Sequence, residues 1–395
     1  MNERSSGWGS VVGQEVATET LRQGIAGGRV GHAYLFHGPR GVGKLAAALA
    51  FGQALLCDRG GDMPCGECGA CQKVLRGVHA DLRIHLPFPG KEPPGDFQRR
   101  ISLLGSDPYA RADFRTRPNL DEAGESTNKF ARYPIDYVHE QLIRAQAFRP
   151  VEGRWKVTVV TDAHLLETRG SNALLKTLEE PPPQTVNVLL TDRHDLMLPT
   201  IVSRCEQLRF ARLTTDELAG ALSKRGVDSG RAMTLSRMAD GSLLRAIELS
   251  EDAELAARRE LAVEFLRMSY MRNVDRLSEL VATISGAGRE QMTITLLTLL
   301  DWIRDLLIFR ETGDKTRIVN VDDVEAIASF CRSLPDADLV SMVALVEEAI
   351  GLVERNANAR LLSSVLAQRL GRAMRGASAR ALYVPLVADP QAAQA

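Results

Sequence analysis

Three glycines and a lysine carry the clearest chemistry in this chain. Gly38, Gly41, Gly43 and Lys44 have the spacing of a phosphate-binding loop, G-x-x-x-x-G-K followed by Ser or Thr. The glycines let backbone N–H groups turn toward a phosphate, and the lysine reaches the β- and γ-phosphates. The last position is Leu45, whose side chain has no hydroxyl to bind Mg²⁺. The pattern therefore predicts a loop that can hold ATP or ADP but is poorly equipped to hydrolyse it.

Four of the six cysteines are crowded into residues 57–71, at Cys57, Cys65, Cys68 and Cys71. Two C-x-x-C steps allow backbone turns to bring the sulfurs to tetrahedral Zn²⁺ at about 2.3 Å. Four thiolates complete a structural zinc site, and the metal would supply folding energy to a segment with almost no core. Free thiols and an iron–sulfur cluster are the alternatives. We expect a zinc module.

The elements that would position these residues alternate between strand and helix. Short apolar runs predict buried strands at 32–36, 156–161 and 186–191, and helices are predicted at 45–56 and 171–180. A strand, a Gly-rich loop and a helix in that order form the context that a phosphate-binding loop requires. Alternation of this kind predicts an α/β domain with a parallel sheet covered by helices on both faces.

The rest of the chain divides by its hydrophobic pattern. Residues 86–133 are rich in Pro, Gly, Arg and Asp, so we expect a flexible, partly disordered surface insertion in a first domain at 1–211. Apolar spacing after the first domain is helical, which predicts two all-helical domains at 212–255 and 256–382. A loose tail follows at 383–395.

Length, composition and net charge limit the kinds of protein that this sequence can encode. A chain of 395 residues is too long for one core, and 45% hydrophobic with 25% charged residues is typical of globular proteins. The net charge of −1 gives no overall attraction to DNA. The first residues lack the apolar core of a signal peptide, and no apolar run is long enough for a membrane span. We expect a cytoplasmic protein with no membrane contact.

A phosphate-binding loop followed directly by a four-Cys module resembles the bacterial clamp-loader family of AAA+ proteins, which place the sliding clamp on DNA. The Cys spacing is one residue shorter than the usual family pattern. The resemblance covers the chain except the insertion and the tail. It is extended by five further stretches, at 12–15, 32–36, 172–181, 198–205 and 355–361.

The resemblance implies a domain order and a set of partners. The first domain would be an AAA+ P-loop domain, followed by a small helical lid domain and an all-α collar domain. The partners would be the motor subunits and the clamp-opening delta subunit of a hetero-pentamer. Contact with the sliding clamp and with primed DNA would come through that complex.

The family contains motor subunits that hydrolyse ATP and a stator subunit with a degraded ATP site. Leu45 favours the stator. Counting back from Asn172 in the family pattern puts Thr161 at the metal-binding Asp of Walker B and Asp162 at the catalytic Glu. If the register slips by one, Asp162 becomes the metal-binding residue and Ala163 replaces the Glu. In either alignment, one of the two acidic residues of Walker B is missing.

One motif of the family is intact, at residues 203–205. The resemblance implies that its Arg204 is an arginine finger, which projects toward the ATP of the neighbouring subunit. The alternative is a surface ion pair. Thr191 stands where the family has its sensor 1 residue. We therefore predict a stator that supplies Arg204 to an adjacent motor. An active motor ATPase is the first alternative, and a zinc-bearing nucleic-acid binder is the second.

Overall fold

The computed structural model describes most of the chain. The described residues are 7–114, 117, 119–121, 131–251, 255–314, 318, 324–377 and 382. They belong to two compact units, Met1–Glu251 and Asp252–Ala395. The predicted tail at 383–395 lies outside the described residues. No helix among those described is both long and apolar enough to cross a membrane.

A five-stranded sheet forms the centre of the first unit. The strands are β1 (Ala33–His37), β2 (Leu82–His85), β3 (Lys156–Val160), β4 (Thr185–Thr191) and β5 (Glu206–Arg209). All neighbours are parallel, in the order β2-β3-β4-β1-β5. Because β1 and β4 pair with His37 opposite Thr191, their carboxyl ends lie side by side. The three predicted strands and the parallel sheet are confirmed, and β2 and β5 are additional.

Ten α-helices accompany the sheet among the described residues of the first unit. They are α1 (Glu15–Ala26), α2 (Lys44–Leu56), α3 (Gly69–Leu75), α4 (Phe97–Ser106), α5 (Ile135–Tyr137), α6 (Thr168–Glu179), α7 (Pro199–Val202), α8 (Thr215–Lys224), α9 (Ser229–Met238) and α10 (Leu243–Glu251). A π-helix at Val138–Ile143 continues α5, and 3-10 turns occupy Gly7–Ser10, Arg144–Ala147, Ala163–Leu165 and His194–Leu196.

Apolar side chains of the three central strands β1, β3 and β4 are divided between two apolar layers, as a pleated strand requires. Tyr34 and Phe36 of β1 pack in the layer that contains α1 and α2. Leu35 faces the opposite layer, which contains α6 and α7. The sheet is therefore covered by helices on both faces, as predicted.

The stretch at 86–133 differs from the expected surface insertion. Within it α4 forms a regular helix, and Phe88, Ile101, Leu104 and Phe114 are buried in the layer that contains α1 and α2. The prediction of a flexible, partly disordered surface insertion is wrong for these residues. Their apolar spacing was masked by neighbouring Pro, Gly and Arg residues. Residues 122–130 lie outside the part of the chain that the structure describes.

Within the described residues of the second unit, the regular secondary structure is all α-helix. Its helices are α11 (Leu255–Met271), α12 (Val274–Gly286), α13 (Arg289–Thr312), α14 (Val324–Ser333), α15 (Leu339–Glu354) and α16 (Ala359–Ala373). The apolar face of α13 is buried, with Leu296, Leu299, Ile303 and Leu306 in one core, in agreement with the helical apolar spacing of this part of the sequence. The unit begins four residues before the predicted collar boundary at 256.

Candidate functional site

The phosphate-binding loop joins the end of β1 to the start of α2. Gly38, Gly41 and Gly43 have φ values of 148°, 76° and 105°, which side-chain-bearing residues rarely adopt. A Cβ on Gly38 would overlap the carbonyl oxygen of Phe210. Gly43 is the N-cap of α2, so the N–H groups of the first turn face the loop. The loop therefore has the backbone geometry for binding an anion.

Lys44 is folded back onto this loop. Its Nζ donates hydrogen bonds to the carbonyls of Gly38 and Pro39, both at 2.6 Å. Burial lowers the pKa of Lys44 to about 8, while the carboxylates of Asp192 and Asp162 act in the opposite direction. In this conformation the ammonium group satisfies loop carbonyls rather than a bound phosphate.

The start of α10 contacts the loop directly. Its Leu243 and Leu244 backbone N–H groups donate to the carbonyl of Gly41 at 3.0 and 3.4 Å. From the other side Gln14 Nε2 donates to the carbonyl of Val42 at 3.1 Å. The phosphate-binding loop is thus held by both the α/β part and the helical part of the first unit.

The facing wall comes from the carboxyl ends of β3 and β4. Thr161, Asp162 and Thr191 lie there, in the same cavity as Gly41, Gly43, Lys44 and Leu45. Parallel strands place their carboxyl ends along one edge, which explains why residues distant in sequence meet. Leu45 and Thr161, the two residues assigned from the sequence to the degraded metal site, both line this cavity. The structure therefore brings these predicted site residues together in one cavity.

Two neighbours of this wall were missed from the sequence. His164 Nδ1 lies 3.1 Å from Thr191 Oγ1 and 3.5 Å from Asp192 Oδ1. Ligand atoms of Asp162, His164 and Asp192 all lie within 4.8 Å of one another, close enough to share a cation. Asp192 immediately follows β4, so the rule that strand ends converge could have identified it.

The cavity is small, about 130 Å³, and part of its wall comes from the region that looked featureless in the sequence. Leu104, Pro108, Tyr109, Ala110 and Asp113 all line it. No motif marks these residues, because their placement depends on how α4 packs. They are the largest group of site residues that the sequence did not reveal.

The four clustered cysteines lie apart from the cavity, between α2 and α3. The Cys57 and Cys68 sulfurs are 4.0 Å apart, and those of Cys65 and Cys71 are 3.9 Å apart. Sulfurs bound tetrahedrally at about 2.3 Å from a zinc ion lie about 3.8 Å from each other. All four sulfurs fall within 4.8 Å of one another, so the group has metal-binding geometry.

Backbone N–H groups point at these sulfurs. Cys68 N donates to Cys65 Sγ and Cys71 N donates to Cys68 Sγ, both at 3.4 Å. The hydrogen bond from Cys68 N is the main cause that lowers the pKa of Cys65 to about 6. Burial raises the pKa of Cys71. N–H donors stabilise thiolates, which are the form that binds a metal.

Arg204 lies outside the cavity, in the turn between α7 and β5. Its Nε donates to Glu179 Oε1 at 2.7 Å, and Nη1 donates to the carbonyl of Thr200 at 2.9 Å. The side chain remains 35% exposed. The structure thus places a half-exposed guanidinium at the domain surface, paired with a carboxylate at the end of α6.

Comparison with known proteins adds evidence on the family. The model described as "DNA polymerase III, delta subunit" matches residues 13–214, just over half of the chain. The DNA polymerase III subunit tau of Bacillus subtilis is 29% identical over 363 residues, covering 86% of this chain and 57% of the relative. The chain therefore spans little more than half the length of that relative.

Two further relatives bear on the comparison. The delta' subunit of DNA polymerase III from Bacillus subtilis is 25% identical over 342 residues, which cover 86% of this chain and 90% of that protein. A solved gamma-subunit-related protein of Thermotoga maritima has 17% identity and a TM-score of 0.42, covering 91% of this chain and all of that one. The family model, which matches just over half of the chain, shows that the chain belongs to the DNA polymerase III delta-subunit family of clamp-loader proteins.

Proposed function

We propose that this chain is a delta-prime-like stator of a DNA polymerase III clamp loader. It supplies Arg204 to the ATP site of an adjacent motor subunit. The observation that carries the proposal is the composition of the cavity wall, where Leu45 and Thr161 lie beside the phosphate-binding loop. In the family register that we prefer, these two residues stand at positions that support the metal in motor subunits. The match to a delta' relative over 90% of its length supports the same assignment.

ATP hydrolysis depends on neutralising the negative charge of the transferred phosphoryl group. Mg²⁺ neutralises the negative charge that develops on the transferred phosphoryl group, and its loss removes most of the catalytic power of such a site. A leucine offers no oxygen to the ion, and a threonine offers no negative charge. We therefore expect hydrolysis by the chain itself to be absent or weak, even where ATP or ADP binds to the loop.

In this proposal Arg204 acts on the ATP of a neighbouring subunit and not on the chain's own site. A guanidinium stays charged at all physiological pH values and can fork across phosphate oxygens. Fingers of this kind accelerate hydrolysis by about 10³ to 10⁵. Because Arg204 is paired with Glu179 in the isolated chain, the finger must exchange that carboxylate for the neighbour's phosphate.

The remaining parts of the proposal are structural. Cys57, Cys65, Cys68 and Cys71 would hold a structural Zn²⁺, whose bonds would fix the short excursion after α2. The helical second unit would serve as the collar that joins motor and clamp-opening delta subunits in a hetero-pentamer. The sliding clamp and primed DNA would be reached through that complex.

An active motor ATPase is the competing function. The observation that favours it is the group formed by Asp162, His164 and Asp192, which could hold a cation without the missing hydroxyl. Mg²⁺- and Mn²⁺-dependent ATP hydrolysis by the isolated chain separates the two functions. The stator proposal predicts no turnover above the Lys44→Ala variant, and clear turnover that this variant abolishes would refute it.

A further inference from the structure

One segment of the chain, which we call the strap, forms part of the wall of the nucleotide cavity. The strap, residues 104–113, runs from the end of α4 and contributes five residues to the cavity wall. Its central residue is Tyr109, which is only 5% exposed. The Tyr109 hydroxyl accepts a hydrogen bond from the Val12 backbone N at 3.4 Å. It also lies 2.9 Å from the point where a Cβ on Gly43 would stand.

Gly43 is the N-cap of α2, where the backbone N–H groups would meet phosphate. Tyr109 lines the cavity beside this N-cap. The space that remains is about 130 Å³. Ligand sites for molecules of nucleotide size are typically about 300 to 1,000 Å³. With the strap in this position, the cavity is therefore smaller than a typical site for a molecule of nucleotide size.

Two ion pairs fasten the strap to the elements on either side of it. Asp113 pairs with Arg40 of the phosphate-binding loop at 2.7 Å. Asp107 accepts two parallel hydrogen bonds from Arg225 at 2.8 and 2.9 Å, in the bidentate geometry that is strongest for this pair. Arg225 follows α8, so the strap is tied both to the loop and to the helical part of the unit.

The buried side chain of Arg100 holds the strap through a hydrogen bond to its backbone. Arg100 on α4 is fully buried, and its Nε donates to Asp96 at 2.9 Å. Its Nη1 donates to the carbonyls of Ala112 and Arg117 at 3.1 and 2.6 Å, and the guanidinium lies 3.8 Å from the centroid of the Phe114 ring. A buried charge is tolerated only when its donors are satisfied in this way. The closed strap is therefore a specific, internally hydrogen-bonded structure.

We propose that the strap is an autoinhibitory occupant of the nucleotide cavity, with Tyr109 in the space of the ligand. Nucleotide enters only when the Asp107 and Asp113 ion pairs open and the strap withdraws. Apparent affinity is then reduced by the fraction of molecules in which the strap is open. This inference concerns the chain's own cavity and does not depend on the role of Arg204.

The test is the affinity of the full chain for ADP, measured by calorimetry. Tyr109→Ala vacates the cavity, and Arg225→Ala releases the strap without altering the cavity wall. Arg99→Ala is the matched control, because Arg99 forms an equally bidentate ion pair with Asp121 in the same region but does not line the cavity. We expect both test variants to bind ADP about tenfold or more tightly than the wild type, and the control to match the wild type.

Adding Lys44→Ala to Tyr109→Ala should abolish the gain, which places the new binding at the phosphate-binding loop. The inference is overturned if the Tyr109 and Arg225 variants, folded as judged by their Tm, bind ADP no better than the wild type. Weaker binding by Tyr109→Ala also overturns it, since the ring would then be part of the ligand's own site. Because the calorimetric test does not involve ATP hydrolysis in the loader, a negative result would leave the stator proposal unaffected.

Discussion

Arg204 and Glu179 form an ion pair across the turn that follows α7, with Arg204 Nε donating to Glu179 Oε1 at 2.7 Å. A second guanidinium nitrogen contacts the same carboxylate. Glu179 ends α6, while Arg204 lies 25 positions later in sequence. In the isolated chain the proposed finger is therefore held against its own domain by one acidic residue.

Glu179→Gln should make the finger easier to release. An exposed ion pair contributes only about 0 to 1 kcal/mol, so the ATPase of a reconstituted loader should stay constant or rise by at most about fivefold. Asp195→Asn, which breaks the exposed pair with Arg193, is the control and should have no effect. A fall in rate would contradict this prediction and would assign Glu179 the task of aiming the finger.

Lys44 should make stability depend on pH. Its pKa is about 8 in the folded chain against 10.5 when unperturbed, with burial as the main cause. Between these values the unfolded chain binds more protons, so the free energy of unfolding should rise with pH, by at most about 1.4 kcal/mol per unit. This contribution is complete above pH 10.5 and is lost as the pH falls through 8.

The measurement is urea unfolding of the wild type and Lys44→Met from pH 7 to 10.5. Only the difference between the two chains isolates the lysine, because other groups titrate in the same range. That difference should change with pH in the direction given above. Parallel pH profiles for the two chains would show that Lys44 has an ordinary pKa.

The cysteine cluster should bind one zinc ion per chain. Cys65→Ser should lose the metal and expose residues 57–71 to proteolysis, because little apolar core holds them. Cys331→Ser is the control, since that thiol lies on α14 in the second unit. Metal analysis by mass spectrometry and limited proteolysis check the prediction. Purified wild-type chain without zinc or iron, yet resistant in this region, would refute a metal-dependent module.

Gly38 should tolerate no side chain. A Cβ at Gly38 would collide with the Phe210 carbonyl, and the backbone φ of Gly38 is 148°. Gly38→Ala should therefore lower the free energy of unfolding by about 3 kcal/mol or more. Gly28→Ala is the matched control, because Gly28 has φ of 63° but nothing within 4 Å of its Cβ. It should cost only about 1 kcal/mol. Equal Tm losses in the two variants would contradict this explanation.

Much of the α/β core could be predicted because the signals are local. The motif at 38–44 and the apolar runs around it fix a strand, a loop and a helix within a few residues. β5 escaped notice because Glu206–Arg209 is a largely exposed edge strand with three polar residues. Such a strand forms through pairing with β1 rather than through its own pattern.

The strap could not be predicted for a different reason. Its placement depends on Arg100, a residue type that is rarely buried, and on partners that come together only in the folded chain. The sequence pattern therefore predicted a flexible surface insertion where the structure has α4, with one face buried, and the strap that follows it. Likewise, Arg204 was identified through its motif, but its pairing with Glu179 depends on how α6 and α7 pack.

The central claim is that Arg204 completes the ATP site of an adjacent subunit. The direct measurement is the ATPase rate of that subunit in a reconstituted loader carrying Arg204→Ala, beside Arg193→Ala as an exposed control on the same domain. We predict assembly equal to wild type and a fall of about 10³-fold or more at the adjacent site, with no change in the control. Intact assembly with an unchanged rate would contradict the account.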